Sequence, residues 1–375
     1  MKFLHTADWQ IGMKAAHVGE AGERVREERI KTVRRLVDVA RDNHAEFILV
    51  VGDTFEDNAV ARVLVQKIAD ILARANIPIF IIPGNHDPFT PGSVWEHPVW
   101  KTCDNLQVLL EEKPVAVAGG FLYPCPVDER HSGKDPTTWI GAAGASGIRV
   151  GMAHGTVEGV HQEEPDYPIP REAAARLGLD YLALGHWHST ATYEDSSGAV
   201  RMAYSGTHET TRFAERDSGN VLLVEIADSG TPPVVRPIHV GALDWRVMEV
   251  DLREAGDLSR LRESIEHIES AQRILLDIRI SGPLFSDEKD EIDRIKEILD
   301  SRFLFGRIDA THIIPSPEDE NWIANLPAGI IRETGARLKE LCNPNFSGRR
   351  PDWASPDVAS RALIELYAFM SEASR

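Results

Sequence analysis

The sequence has few cysteines and no long apolar run. Its three cysteines, Cys103, Cys125 and Cys342, have no CxxC spacing, which argues against a disulfide framework and against a thiolate metal site. No run of about 18 apolar residues exists, so no membrane-spanning helix is expected, and the segment Met1–His5 lacks the apolar stretch of a signal peptide. We therefore expect a cytoplasmic protein that does not associate with membranes.

The sequence also lacks an excess of basic residues. It contains 59 acidic and 41 basic residues, for a formal net charge of −18. Non-specific binding to nucleic acids draws its free energy from Lys and Arg residues that neutralise phosphates. A chain this acidic is therefore not expected to hold DNA strongly by itself, although bound divalent cations would add positive charge that the count omits.

What the sequence does have is enough length and apolar content for more than one domain. With 375 residues, of which 42% are hydrophobic, it can form two or three domains with sizeable cores. We predict domains over residues 1–242, 243–314 and 315–375.

In the first predicted domain, short apolar strands alternate with helical stretches. We predict strands over residues 3–7, 47–51, 77–82, 149–153 and 181–184, and helices over 22–43, 60–75 and 169–177. This alternation indicates βαβ units and an α/β fold with a largely parallel sheet that is covered on both faces. Residues 200–204 and 221–226 lie between Ser/Gly turns and are predicted to be antiparallel strands.

The pattern changes again near Leu243. Predicted strands over 245–252, 273–280 and 306–313 alternate with predicted helices over 258–268 and 287–299, which indicates a small βαβαβ unit. Two helices follow, over 326–341 and 356–370. The second carries an apolar stripe of Leu363, Leu366, Phe369 and Met370. Two helices cannot form a core alone, so this stripe either binds a partner or folds back on the preceding domain.

Five predicted strands end in polar groups of related chemistry. These groups are Asp8 and Gln10; Asp53; Asn85, His86 and Asp87; His154; and His186 and His188. A single strand-end Asp or His is usually a turn residue, but the carboxyl ends of parallel strands meet at one edge of a sheet, where ligands bind. Carboxylates, amide oxygens and imidazoles suit Mn²⁺, Fe²⁺ or Zn²⁺, and these groups are too many for one ion. Two ions bridged by a carboxylate would use them all.

These residues resemble the five motifs of the calcineurin-like metallophosphoesterases in order and separation. The motifs are Asp8-x-Gln10, Gly52-Asp53, Gly84-Asn85-His86-Asp87, His154-Gly155 and Gly185-His186-x-His188. Within that superfamily the chain is most similar to the SbcD-type DNA repair nucleases, to judge from Thr6-Ala7-Asp8-Trp9 and Tyr204-Ser205-Gly206-Thr207. The resemblance implies a β-sandwich flanked by helices, a small α+β capping domain over 243–314 and a C-terminal helical segment that binds an ATPase.

The resemblance also implies a role for each motif residue. Asp53 would bridge two metal ions, Asp8 and His188 would hold the first ion, and Asn85, His154 and His186 would hold the second. His86 would face the scissile phosphate and protonate the leaving oxygen or stabilise the transition state. Asp87 would either orient His86 or form the turn.

Three further positions lie in or beside the motifs. Gln10 stands where the family usually has a histidine ligand; its amide oxygen can bind a metal, but more weakly than an imidazole. Glu56 stands where some nucleases of the family have a substrate-contacting histidine, so it could support a ligand or be a solvated turn residue. His208, in the loop Gly206-Thr207-His208, is expected close to the motif edge of the sheet and could also support a ligand, although a surface position is the simpler expectation.

The leading hypothesis is a phosphodiesterase that acts on DNA with two divalent ions, of which Mn²⁺ is the first choice and Fe²⁺ or Zn²⁺ the alternatives. The resemblance implies an SbcC-like coiled-coil ATPase as partner and a homodimer within that complex. One alternative is a phosphatase or phosphodiesterase of small phosphate esters. Another is a catalytically weak subunit that regulates an ATPase, which Gln10 would favour and the intact remaining motifs oppose.

Overall fold

The computed structural model describes residues 1–141, 146–159, 166–284, 288–315 and 322–373. The chain divides into two compact units, Met1–Asp244 and Trp245–Arg375, and each unit has its own apolar core. The predicted boundary after residue 314 borders residues 316–321, and a predicted helix begins at Asp287; all of these lie outside the described residues. A further division of the second unit stays a prediction.

Within the described residues of the first unit, twelve strands form two six-stranded sheets. In chain order they are β1 (Lys2–Thr6), β2 (Phe47–Val51), β3 (Ile79–Ile82), β4 (Leu106–Val108), β5 (Val115–Val117), β6 (Gly120–Cys125), β7 (Ile148–His154), β8 (Tyr181–Gly185), β9 (Ala191–Glu194), β10 (Val200–Tyr204), β11 (Asn220–Glu225) and β12 (Val234–His239). The spatial order is β12–β11–β1–β2–β3–β4 in the first sheet and β5–β6–β7–β8–β10–β9 in the second.

The two sheets pack face to face around a shared core. Phe3 and Leu49 of the first sheet belong to one buried apolar cluster with Val150 and Ala183 of the second. The β-sandwich implied by the family resemblance is therefore confirmed, and the single doubly covered sheet predicted from the strand–helix alternation is wrong. A strand buried on both faces has the same apolar pattern whether a helix or a second sheet covers it, so periodicity could not separate the two.

Helices flank the sandwich on its outer faces. They are α1 (Ala21–Asp42), α2 (Arg62–Ala73) and α3 (Ala173–Arg176). Apolar residues of α1, among them Val33 and Leu36, pack against the first sheet. The helix predicted over 169–177 is only four residues long, because Ile169 is extended and forms a β-bridge with Val157.

Strand direction determines where the motifs meet. β1, β2 and β3 run parallel to one another, as do β7 and β8, and these five strands carry the predicted ligands at their carboxyl ends. β11 is antiparallel to β1, as predicted, whereas β10 is antiparallel to β9 but parallel to β8. Five strands were not predicted: β4, β5, β6, β9 and β12. Two of them contain a proline, Pro124 or Pro237, which is depleted in strands because it lacks a ladder donor.

The second unit contains a three-stranded sheet with two helices. The elements are β13 (Asp244–Asp251), α4 (Asp257–Glu266), β14 (Ile274–Leu284), α5 (Lys289–Arg302) and β15 (Phe305–Pro315). The sheet order is β13–β14–β15, with β14 and β15 parallel. Leu261 of α4 and Leu299 of α5 share an apolar core with Leu276 of the sheet, so helices cover one of its faces.

Three further helices end the chain: α6 (Trp322–Asn325), α7 (Ile330–Cys342) and α8 (Pro356–Ala373). A Cβ added to Gly335 of α7 would lie 3.4 Å from Leu366 Cδ2, so α8 packs closely on α7. Phe369 of the same helix is 68% exposed. The predicted stripe is therefore partly covered within the unit and partly open. None of the helices in the described ranges is both long enough and apolar enough to cross a membrane.

Candidate metal centre

Two loops that carry predicted ligands run side by side at the ends of β1 and β2. The N–H groups of Asp8 and Gln10 donate to the carbonyls of Gly52 and Asp53, at 3.2 and 2.9 Å. Asp8, Gln10 and Asp53 all have left-handed backbone conformations, with φ of 54°, 41° and 48°. Such conformations cost energy in residues other than glycine, so the pairing of the two loops maintains a strained backbone at the site.

Glycines allow the other ligand loops to approach this pair. A Cβ added to Gly84 would lie 2.2 Å from the backbone nitrogen of Asp53, and one added to Gly185 would lie 1.8 Å from the carbonyl oxygen of Val51. Neither distance is possible for a real Cβ, so only glycine fits at these two motif positions.

Asp8, Asp53 and His154 form the centre of the site. One ligand atom of each lies within 4.8 Å of the other two, and all three side chains are buried. His154 Nδ1 donates to the carbonyl of Val51 at 3.0 Å, which directs Nε2 toward Asp53 Oδ2 at 3.4 Å. The two sheets thus contribute ligands to one cluster, carboxylates from the first and an imidazole from the second.

The electrostatics of this cluster favour bound cations. Burial raises the pKa of Asp8 to about 6. Burial acts on Asp53 in the same direction, but the His154 imidazole outweighs it and lowers the pKa of Asp53. Conversely, burial acts to lower the pKa of His154, and the Asp53 carboxylate raises it to about 9. Two adjacent buried carboxylates require a positive charge beside them. The proton on His154 supplies one, and divalent ions would supply it instead when they displace that proton.

Asn85 connects the imidazoles of the second sheet. Its Oδ1 accepts from His154 Nε2 at 2.9 Å and lies 3.2 Å from His186 Nδ1. The backbone N–H of His186 donates to the Asp8 carboxylate at 3.0 Å. Burial lowers the pKa of His186 to about 4, and His154 adds to the shift, so this imidazole is neutral as a metal ligand must be.

His188 is positioned by a residue that the sequence did not identify. Its Nδ1 donates to Glu215 Oε1 at 2.9 Å, which leaves Nε2 as the ligand atom. Thr211 donates to Glu215 through its backbone N–H at 2.7 Å and through its hydroxyl at 2.9 Å. Burial acts to lower the pKa of His188, but the hydrogen bond that its Nδ1–H donates to Glu215 outweighs it and raises the pKa. A carboxylate behind a histidine fixes the ring and strengthens it as a ligand.

His86 is held by the backbone rather than by Asp87. Its Nδ1 donates to the carbonyl of Glu56 at 3.0 Å, and its N–H donates to Asp53 Oδ1 at 2.9 Å. The Asp87 carboxylate is fully buried and accepts from the N–H groups of Gly84 and Phe55, at 2.7 and 2.8 Å. The geometry places Asp87 in the turn-forming position, while the Nε2 of His86 remains available to a substrate.

Gln10, Glu56 and His208 do not all lie in the same place. Gln10 and Glu56 line the same cleft as His86, with Gln10 7% exposed and Glu56 half-buried. His208 is fully buried, donates from Nε2 to the carbonyl of Arg29 at 2.9 Å, and lies against Trp9. The expected surface position of His208 is therefore wrong.

Arg29 is a second residue that the sequence did not identify. It is 1% exposed in the middle of α1 and donates to the carbonyls of Trp9 and Glu209, at 3.0 and 2.7 Å. Burial lowers its pKa to about 10, so it stays charged at neutral pH. It therefore ties the loop after β1 to the loop after β10, next to the predicted ligands Asp8 and Gln10.

A cleft of about 1060 Å³ opens onto the site. Its walls include His86, His186 and His188, and the segment from Thr211 to Arg216 forms one side with Arg212 and Arg216. Both arginines are exposed. The predicted ligands Gln10, His186 and His188 thus line an open cleft whose wall also carries two arginines.

The donor set fits a pair of divalent ions. It combines carboxylate oxygens, an amide oxygen and imidazole nitrogens on five adjacent loops, and the imidazoles of His154 and His188 have one nitrogen fixed by a hydrogen bond and the other directed into the site. A single ion could not use all of these donors.

Comparison with known proteins is consistent with this donor set. The family profile of calcineurin-like phosphoesterases matches residues 1–190. The chain is 24% identical over 382 residues to the uncharacterized metallophosphoesterase YhaO of Bacillus subtilis, with 96% of this chain and 88% of YhaO covered. It is 25% identical over 296 residues to the DNA double-strand break repair protein Mre11 of Saccharolobus solfataricus, with 75% of each chain covered.

Solved structures show weaker likeness. TT1561 of Thermus thermophilus is 12% identical, with a TM-score of 0.41, and covers 64% of this chain and 98% of its own. A dimetal phosphatase from Danio rerio is also 12% identical, with a TM-score of 0.39, and covers 63% of this chain and 98% of its own.

Proposed function

Because the chain belongs to the calcineurin-like phosphoesterase family, we propose that it is a phosphodiesterase that cleaves DNA with two divalent metal ions. The observation that carries this proposal is the buried cluster of Asp8, Asp53 and His154, whose carboxylates accept the backbone N–H groups of His86 and His186, two residues that line a wide open cleft. Mn²⁺ is the proposed ion, with Fe²⁺ or Zn²⁺ as alternatives, because carboxylate and imidazole donors suit all three.

Each ligand has an assigned place in this proposal. As the family resemblance implies, Asp53 would bridge the ions, Asp8 and His188 would hold the first, and Asn85, His154 and His186 would hold the second; the buried cluster of Asp8, Asp53 and His154 supports this. When bound, the ions supply positive charge to the phosphate oxygens and lower the pKa of the attacking water.

His86 supplies the proton chemistry. Since its Nδ1–H is bound to the Glu56 carbonyl, a proton can enter or leave only at Nε2 on the cleft side. From there it donates a hydrogen bond to the phosphoryl oxygen or a proton to the leaving oxygen.

DNA is the proposed substrate for two reasons. The cleft, at about 1060 Å³, exceeds what one small phosphate ester requires, and Arg212 and Arg216 lie where phosphates beside the scissile one would pass. In addition, a relative with 25% identity is named as a DNA double-strand break repair protein. Among nucleases that cleave DNA, the sequence motifs favour one of the SbcD type.

One assay tests the activity. The purified full chain with Mn²⁺ is offered labelled single-stranded DNA, labelled double-stranded DNA and a chromogenic phosphodiester, before and after metal removal. We expect metal-dependent cleavage of DNA. Cleavage of the chromogenic ester alone would support the small-ester alternative, and no cleavage of any substrate would support the regulatory one.

The Asp53→Ala variant tests the bridging ligand. Both ions should be lost together, as measured by metal analysis after dialysis, because the proposal places Asp53 between the two positions. Loss of one ion only would assign the bridge to another residue.

We further propose that the C-terminal helices bind an SbcC-like coiled-coil ATPase, with two copies of this chain in the complex. Three large apolar side chains of this segment are open to solvent: Ile330 at 83%, Trp353 at 73% and Phe369 at 68% exposure. All three belong to the C-terminal helical segment, and large exposed apolar surface commonly marks a protein interface.

Paired substitutions test this surface. In co-expression with an SbcC-like ATPase, Ile330→Ser combined with Phe369→Ser should abolish co-purification. Val63→Ser, at a residue 80% exposed on α2, is the matched control and should have no effect. Equal co-purification of all variants would contradict the proposal.

A further inference from the structure

The two proposed metal positions differ in the chemistry of their donors. The second position has two imidazoles, His154 and His186, and the amide oxygen of Asn85 in addition to Asp53. The first has one imidazole, His188, with Asp8 and Asp53, and the position where the resemblance expects another imidazole is occupied by Gln10. Any consequence of this difference depends on where the Gln10 side chain lies.

The Gln10 side chain lies in the cleft and has an uncommitted carboxamide. The residue is only 7% exposed, yet within the described residues no hydrogen bond to its carboxamide is found. It shares the cleft wall with His86, His188 and Glu56. The carboxamide is not among the buried polar atoms that lack a partner, so it opens to the cleft and is available to a ligand.

The backbone holds Gln10 in this direction. Its N–H donates to the Asp53 carbonyl at 2.9 Å and its carbonyl accepts from the N–H of Met13 at 3.1 Å. The preceding residue, Trp9, is buried in the core and donates from Nε1 to Thr6 Oγ1 at 2.8 Å. Because both neighbouring segments are fixed, the loop cannot turn Gln10 out of the cleft without losing these contacts.

We propose that Gln10 makes the first metal position a weaker, oxygen-rich site that selects Mn²⁺ and exchanges its ion, while the second position holds its ion firmly. This inference rests on the metal assignment of the proposed function and extends it to the difference between the two ions. Carbonyl and carboxylate oxygens suit Mn²⁺ and Mg²⁺, whereas imidazoles suit Zn²⁺ and Fe²⁺. The position with three oxygen donors therefore favours Mn²⁺ or Mg²⁺. The position with two imidazoles favours Zn²⁺ or Fe²⁺, so the two positions of one centre differ in their metal preference.

Metal binding without substrate tests the inference. The metal-free full chain is titrated with Mn²⁺, and free ion is counted by electron paramagnetic resonance. Wild type should show a tight and a weak class of site, one ion each. Gln10→Ala should weaken only the weak class, by about tenfold or more, since loss of even an outer partner of a ligand costs that much.

A second variant and a control complete the test. Gln10→His should tighten the weak class and, in competition, shift its preference from Mn²⁺ to Zn²⁺. Gln107→Ala, on the exposed side of β4, is the matched glutamine control and should change neither class. An intact tight class in each variant demonstrates that the fold is retained.

Three results would overturn the inference: a single class of site in wild type, an unchanged weak class in Gln10→Ala, or an unchanged metal preference in Gln10→His. If Gln10→Ala loses both classes through misfolding, the Gln10→His competition decides. Because no substrate is present, these results are independent of whether the enzyme cleaves DNA, so failure of the proposed function and failure of this inference are distinguishable.

Discussion

At the scale of single residues, substitution of His86 distinguishes a catalytic role from a role in metal binding. Its Nδ1 is bound to the Glu56 carbonyl, and its Nε2 faces the cleft. His86→Ala should therefore lower the hydrolysis rate by roughly 10²–10⁴, the usual contribution of a positioned acid or base, while both ions stay bound. Steady-state rates and metal analysis on the same preparation check this. Asn85→Ala is the contrast and should release metal; an empty centre in His86→Ala would make His86 a ligand.

Glu215 permits a second prediction at this scale. It fixes the His188 ring through Nδ1, so Glu215→Ala should weaken the first metal position by about 10–100-fold. Glu215→Gln retains an acceptor and should recover part of the loss. The weak class in a Mn²⁺ titration measures both effects. Identical affinities in wild type and Glu215→Ala would mean that Glu215 does not support the ligand.

Residues at strand ends could be predicted, and residues elsewhere could not. Asp8, Asp53 and His154 follow buried strands directly, so the strand pattern located them. Arg29 lies within a 22-residue helix rich in charged residues, where its sequence context is that of a solvated arginine. Glu215 lies in a loop without a motif, so its contact with His188 depends on the tertiary structure alone.

At the scale of elements, one buried histidine links the two sheets of the sandwich. His5 of β1 donates from Nε2 to the Leu184 carbonyl of β8 at 3.1 Å and accepts at Nδ1 from the Tyr181 hydroxyl at 3.0 Å. Burial lowers the pKa of His5 to about 3, because a charged imidazole cannot be solvated between the sheets. Its neutral form is therefore part of the folded structure.

This link predicts a defined acid sensitivity. The folded pKa of His5 lies below its unfolded value of 6.5, so its contribution to stability is complete above about pH 6.5 and is lost as the pH falls toward 3. By about pH 4.5 the loss should be about 2–3 kcal/mol. His5→Gln keeps a donor and an acceptor without titrating. Urea unfolding between pH 7 and 4 should therefore show a flatter acid limb for His5→Gln, and parallel curves would exclude His5 as the cause.

The same scale shows the limits of sequence periodicity. The five strands that carry the predicted ligands are mainly apolar and were predicted within a few residues of their bounds. The number of sheets was not predicted correctly. A strand buried on both faces has the same apolar pattern whether a helix or a second sheet covers it. Short edge strands such as β5 and β9 contain too few residues to show alternation.

At the scale of the whole molecule, net charge and local charge act in opposite directions. The chain carries −18, yet Arg212 and Arg216 line the cleft beside the metal centre. Combined substitution of both by Ala should raise KM for DNA and reduce the salt dependence of binding by about one unit of slope per lost phosphate contact. KM for a chromogenic diester should not change, because it reaches only the ions. Equal effects on both substrates would place the arginines in the catalytic step.

The arrangement of the sheets also governs when the centre can form during protein synthesis. The first sheet supplies Asp8, Asp53 and Asn85, but its strand β1 pairs with β11, which ends only at Glu225 of a 375-residue chain. His186 and His188, which follow a strand of the second sheet, are also translated long after Asp8. A ribosome must therefore release about three-fifths of the chain before an ion can meet all of its ligands. Metal can thus be acquired only after most of the sandwich has been synthesised, and Asp8, the first of the proposed ligands to be translated, is among the last to be used.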